Sequence, residues 1–197
     1  IRQIVDRERL SLGRGNEKQK NRKQERFKEK IRTFAKTCLH LMKELKLTTN
    51  IQVCAYSELV EEDKILIDKA KAMTEKSYAP YSKFHVGAAL LLSNGKIIGG
   101  ANQENAAFPS SMCAERTAAY YAHSKYPDAK FEKLAIAAST NGKFTDSPIS
   151  PCGSCRQAIL EYEKLGGQAL KIYLYGEKEI YVLEKVSDLL PLQFDSF

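Results

Sequence analysis

FHVGAALLLSNGKIIGGA, residues 84–101, decides the kind of fold. Phe84 to Leu92 is an almost unbroken apolar run, the pattern of a buried strand. Asn94-Gly95 follows, a pair that tolerates positive φ and makes a tight hairpin turn. KIIGGA then returns as a second strand. Upstream, Ser57 is placed to cap a helix whose first turn holds Glu58, Glu61 and Glu62. That helix is expected to run to about Lys76, and YAPYSKF follows as a loop with Pro80 stopping helix. Downstream, a loop over 102–112 leads into a helix over 113–125. KLAIAAS, 133–139, reads as another buried strand. SPCGSCRQAILEYEKL turns and becomes a helix closed by Gly166-Gly167. LKIYLYG (170–176) and EIYVL (179–183) read as strands, and a short helix near 186–190 ends at Pro191. Helices interleaved with strands predict an α/β fold: a three-layer α/β/α sandwich around a mixed sheet of about five strands.

The 197 residues suit one domain with an appendage, and an apolar fraction of 43% can build a core. The longest wholly apolar run, Val86-Gly-Ala-Ala-Leu-Leu-Leu92, is too short to cross a bilayer. The basic start is followed by no apolar block, so no secretory leader is expected. Ile1 rather than methionine opens the chain, so a start upstream is an expectation, with Met42 as another candidate start position. Five cysteines, an odd number without an export signal, suit reduced thiols in a cytoplasmic compartment.

The net charge of +7 is unevenly spread. Residues 1–50 hold 15 Lys/Arg against 6 Asp/Glu, whereas the remaining 147 hold 16 against 18. The expected division is therefore a basic extension, 1–50, and a near-neutral body, 51–197. A body that gripped nucleic acid would carry its own basic face, and this one does not. Within the extension, residues 1–16 read as disordered, and 17–47 as helical until TTN at 48–50 breaks the pattern. Phe27, Ile31, Phe34, Cys38, Leu41 and Leu45 alternate spacings of four and three along one face. A solvated basic helix or an extended start is the plainest reading, with nucleic-acid or membrane contact behind it, and no chemistry is assigned to 1–50.

The chemistry lies in the cysteines. Cys152 and Cys155 stand three apart on a turn opening a helix, a spacing that lets two thiolates reach one ion. Cys113 would give a third ligand from the start of another helix. Three protein ligands and a vacant fourth position mark a catalytic zinc site, and a structural site would need a fourth. Cys38 and Cys54 have no paired spacing, and His123 is the one candidate fourth ligand in the helix after Cys113. A lone C-x-x-C could be redox-active or incidental, and a lone Cys113 a small core residue. Together, Cys113-Ala114-Glu115 and Pro151-Cys152-Gly153-Ser154-Cys155 form the three-cysteine version of the zinc deaminase pattern, with a glutamate that does not ligate.

These residues closely resemble the small cytidine deaminases, homotetrameric nucleoside-salvage enzymes, over about residues 55–195. APYSKFHVGAAL (79–90), NQENAAFPSSMCAERTA (102–118), SPCGSCRQAI (150–159) and VSDLLPLQF (186–194) carry the likeness, in order. The resemblance implies zinc held by Cys113, Cys152 and Cys155, with Glu115 as the catalytic proton shuttle. Asn102 and Glu104 would hold the ribose 3′-hydroxyl, Phe84 would stack on the pyrimidine, and Ala114 would line the same pocket. Phe108 and Phe194 would complete pockets of neighbouring subunits. Arg116 would hydrogen-bond the zinc thiolates. His85 is assigned nothing.

The expected reaction is hydrolysis of cytidine and 2′-deoxycytidine to uridine and 2′-deoxyuridine with release of ammonia. Cytosine C4 is a poor electrophile and water a poor nucleophile, so zinc-activated hydroxide and a proton shuttle are what the step requires. Three thiolates leave the ion with excess negative charge, which helix N-termini and Arg116 can offset. A buried carboxylate at Glu104 would repel phosphate, favouring free nucleosides. Three other readings stay open at this point: deamination of a modified cytosine nucleoside such as blasticidin S, polynucleotide binding or editing through the basic extension, and a non-catalytic zinc-stapled domain, which would need His123 or another fourth ligand.

Overall fold

The computed structural model describes residues 17–41 and 43–195, and the chain divides between Leu47 and Thr48 into two units. The expected disorder of residues 1–16, the second start at Met42 and the side chain of Cys38 lie outside the described residues.

In the first unit, helix α1 spans Glu17–Leu41. It stops short of the expected end at Leu47. The last carbonyls of a helix have no partner within it, so packing must hold the final turn. Leu45 is exposed and receives no such packing. Along the apolar stripe, Phe27 is half-buried, and Ile31 and Phe34 are exposed.

The second unit holds the strands β1 (Gln52–Cys54), β2 (Phe84–Leu92), β3 (Ile97–Ala101), β4 (Phe131–Thr140), β5 (Lys143–Phe144), β6 (Lys171–Tyr175) and β7 (Ile180–Leu183). They form a seven-stranded sheet in the order β1-β7-β6-β4-β2-β3, with β5 paired to β4. The five expected strands are all present. The two further ones correct the expected number of about five: β1 and β5 are pieces of three and two residues, too short to carry a pattern. The pairings are antiparallel except β4 with β6, which run parallel, so the sheet is mixed as expected. A parallel pair needs a crossover, and the helix between β4 and β6 supplies it.

The helices are α2 (Glu61–Thr74), α3 (Ala114–Lys125) and α4 (Gly153–Gly166). Successive side chains of a strand point to opposite faces, and both faces here are apolar. On one face Leu90 of β2, Leu134 and Ile136 of β4 and Ile172 of β6 pack against α3 and α4 through Ala118, Ala122, Ile159 and Leu160. On the other, Ala89 and Leu91 of β2, Ala135 of β4 and Tyr173 of β6 meet Leu66, Ile67 and Ala70 of α2. This is the three-layer sandwich. The hairpin at Asn94-Gly95 is present, with Gly95 at φ 74°, a conformation that favours glycine.

Ser57 does not cap α2. It sits in a separate 3-10 turn, Tyr56–Glu58, where the Glu58 carboxylate accepts the Ala55 N–H at 2.7 Å. Leu59 and Val60 are extended, so α2 starts after Val60, with Glu61, Glu62 and Asp63 in its first turn. It ends at Thr74 rather than about Lys76. Buried Asp63 is satisfied on both oxygens, by Lys133 Nζ at 2.8 Å and Tyr173 OH at 2.6 Å.

Candidate metal centre

Two helix starts meet at the site. Cys113 is the N-cap of α3 and Cys152 the N-cap of α4, with Cys155 in the first turn of α4. At those positions the backbone N–H groups and the helix dipole favour a thiolate. The three sulfur atoms lie within 4.8 Å of one another, and Cys113 Sγ and Cys152 Sγ are 3.9 Å apart. A tetrahedral ion with sulfur at about 2.3 Å needs a sulfur–sulfur separation of about 3.8 Å, so this set fits zinc. Cys155 is buried in the core, Cys113 is half-buried, and Cys152 is exposed.

The thiols share their protons unevenly. The Cys155 thiol hydrogen-bonds Cys113 and, together with Arg116, pulls the Cys113 thiol down to about 5. The same bond to Cys113, with burial, pushes Cys155 upward. Arg116 Nη2 donates to Cys113 Sγ at 3.5 Å. That hydrogen bond to sulfur holds the guanidinium above its ordinary value.

Glu115 is 5% exposed in the first turn of α3. Burial pushes its carboxyl upward, against the opposing pull of its own backbone N–H and of Cys155. Ala114, between the ligand-type thiol and this carboxyl, is fully buried. His123 lies in the last turn of α3, against the Tyr162 ring at 5.3 Å. At 1.5 Å per residue it is about 15 Å along the helix from Cys113, so it cannot complete a structural site. Among the described residues, the metal-ligating group consists of the three cysteines.

The loop expected over 102–112 is stitched into place by its backbone. Asn102 and Glu104 pair with Tyr78, and Gln103 pairs with Met112, which brings 102–104 beside the start of α3. Asn102 Oδ1 accepts the Val86 N–H at 2.8 Å, and its Nδ2 donates to the Phe84 carbonyl at 3.0 Å. Glu104 Oε2 accepts the N–H groups of Tyr81 at 2.9 Å and Ser82 at 3.2 Å. The Ser82 hydroxyl, then these N–H groups, hold the Glu104 carboxyl below its usual range. Both side chains thus grip residues 81–86, and Phe84 sits half-buried within that grip. Phe108 and Phe194 are each 69% exposed. Phe108 meets the edge of the Tyr81 ring at 6.0 Å, and the Phe194 carbonyl accepts from Gln157 Nε2 at 2.8 Å.

Sequence reasoning did not single out Gly100. A Cβ there would lie 2.5 Å from both the Ala114 carbonyl oxygen and the Ala118 nitrogen. Only glycine lets β3 come that close to the start of α3. Gly99-Gly100 inside a strand was the available signal of a close approach.

Residues 60–165 match the cytidine and deoxycytidylate deaminase zinc-binding region. The chain is 43% identical to the cytidine deaminase of Sporosarcina psychrophila over 129 residues, 66% of this chain and 88% of that protein. The chain belongs to that family. A second relative, the cytidine deaminase of Halalkalibacterium halodurans, is 42% identical over 132 residues, 66% of this chain and 92% of that protein. The crystal structure of cytidine deaminase from Burkholderia pseudomallei superposes with a TM-score of 0.57 at 38% identity, covering 69% of this chain and 100% of the other. For the enzyme from Mycobacterium tuberculosis the TM-score is 0.55 at 31% identity, covering 70% of this chain and 99% of the other.

Proposed function

We propose that this chain hydrolyses cytidine and 2′-deoxycytidine to uridine and 2′-deoxyuridine, releasing ammonia. The observation that carries the reading is the convergence of three thiols at two helix starts, beside a buried glutamate, in a chain of this family. Cys113, Cys152 and Cys155 would hold one zinc per subunit. Zinc, when bound, would supply a water whose pKa is lowered to about 7. Glu115 accepts a proton from the attacking water and passes it to pyrimidine N3 as the oxygen adds to C4. It then takes the remaining proton from the oxygen added at C4 and delivers it to the amino group, which leaves as ammonia as the C4 carbonyl forms. A carboxyl pushed upward by burial holds a proton more readily than a free one, which suits a group that both takes and gives it.

In this reading Phe84 stacks on the base and Ala114 lines the pocket beneath it. Asn102 keeps one amide N–H for the ribose 3′-hydroxyl, and Glu104 accepts from the same hydroxyl. Arg116 offsets the charge of the thiolates. Phe108 and Phe194, apolar and exposed, reach the pockets of neighbouring subunits in a homo-oligomer, a tetramer by family analogy. The catalytic body is 51–197, and 1–50 is an extension without a chemical role. No described helix is long and apolar enough to cross a membrane, and a cytoplasmic location accords with the reduced thiols.

The test is metal analysis together with loss of cytidine absorbance. About one zinc per chain and turnover of both nucleosides are expected. A metal-free protein, or a zinc-loaded one that leaves both nucleosides intact, overturns the reading.

A further inference from the structure

Of the three thiols, Cys152 alone is exposed, so core packing does not fix its direction. The preceding peptide is fixed by another means. Arg156, in the first turn of α4, folds its guanidinium back toward the turn. Its Nε donates to the Pro151 carbonyl at 2.8 Å and its Nη2 to Ser150 Oγ at 2.9 Å. The Pro151 carbonyl belongs to the peptide plane that leads into Cys152, so holding it orients Cys152. The third nitrogen, Nη1, donates at 2.9 Å to the carbonyl of Leu189, the last residue of the C-terminal 3-10 turn. From Leu189 the chain runs through Pro191 to Phe194, whose carbonyl returns to α4 at Gln157.

We propose that Arg156 is a positioning residue that locks the Cys152 turn and the C-terminal segment to each other through one guanidinium. A planar fork with fixed donors can hold three acceptors in one plane, and a lysine ammonium cannot reproduce that spread. Disturbing the fork loosens the exposed ligand and the Leu189 segment in the same molecule. The inference rests on the zinc reading above.

Arg156→Lys keeps the charge and removes the fork. Zinc transfer to a chelator is expected to speed up about tenfold, the scale seen when a group supporting a metal ligand is lost. Amide exchange is expected to rise both at 152–153 and at 189–190, while 64–72 in α2 stays at the wild-type rate. Zinc release at the wild-type rate, or faster exchange confined to one of the two segments, overturns the proposal. Should Arg156→Lys fail to fold, Ser150→Ala removes one acceptor with no change of charge. It is expected to speed zinc release several-fold, and an unchanged rate there also overturns the proposal. A wild-type chain that takes up no zinc overturns the metal reading and this inference with it. A zinc-loaded variant that holds its metal like wild type overturns this inference alone.

Discussion

Arg116 reaches back one turn of α3 to Cys113, placing Nη2 3.5 Å from Sγ, while its Nε is buried with no hydrogen-bond partner among the described residues. A buried donor without a partner is costly, so the contact with sulfur must offset that cost. A thiolate sharing its charge with a guanidinium repels its two neighbours less. Arg116→Gln should therefore weaken zinc binding about tenfold, read by competition with a chelator of known affinity. Equal zinc affinity in the variant and wild type would show that the contact has no bearing on the metal.

Glu115 differs from the cysteines in having no part in holding metal. Glu115→Gln is close in size and sits in the same buried first turn. It should keep full zinc while kcat falls by about 10³-fold, within the range expected for losing a general acid–base. Zinc content and turnover are measured on one preparation, and near-normal turnover would remove the shuttle role.

The pattern of elements was legible because the strands are apolar on both faces and the turns carry strong signals, Asn94-Gly95 above all. The site was legible because both cysteine motifs lie at helix starts, where local sequence sets the geometry. What stayed hidden depends on contacts distant in sequence. β1 exists only because Gln52–Cys54 finds the edge of β7. Ser57 looked like a cap, but Leu59-Val60 stays extended and moves the helix start past it. Asn102 and Glu104 read as ligand contacts from their motif. Their grip on Tyr81, Ser82, Phe84 and Val86 shows only once the loops are folded together.

At Gly100, β3 passes so close to α3 that a Cβ would lie 2.5 Å from the Ala114 oxygen and the Ala118 nitrogen. A methyl group there pushes α3 away from the sheet, moving Cys113 relative to Cys152. Gly100→Ala should cost about 1–3 kcal/mol of stability, as overpacking does. It should also lower zinc occupancy. Thermal melting and metal analysis check it, and a variant with wild-type melting and full zinc would refute the close-approach argument.

Tyr173 and Asp63 test the opposite face of the sheet, away from the cysteines. Tyr173→Phe removes the 2.6 Å bond to Asp63 but leaves Lys133 on its other oxygen. The expected loss is about 1–3 kcal/mol by denaturant unfolding, with kcat and KM unchanged. Altered kinetics at full zinc would mean that this face communicates with the site.

Asn102 serves two ends at once, and a pair of substrates separates them. Its amide completes the ladder at the start of β2, accepting from Val86 and donating to Phe84. Asn102→Ala leaves that N–H and that carbonyl without their partner and should cost about 1–3 kcal/mol of stability. Such a loss alone lowers kcat/KM for every nucleoside by the same factor, because the loop around Phe84 loosens for all of them. A direct bond from the spare amide N–H to the ribose 3′-hydroxyl has a different consequence. Wild type then prefers cytidine over 3′-deoxycytidine, and Asn102→Ala loses its own share of that preference while Glu104 keeps the rest, because the shortened substrate had no such bond to lose. The expected result is a drop of at least about tenfold for cytidine and a smaller drop for the 3′-deoxy compound. Equal drops for both would leave Asn102 as a clamp on β2 with no hand on the sugar.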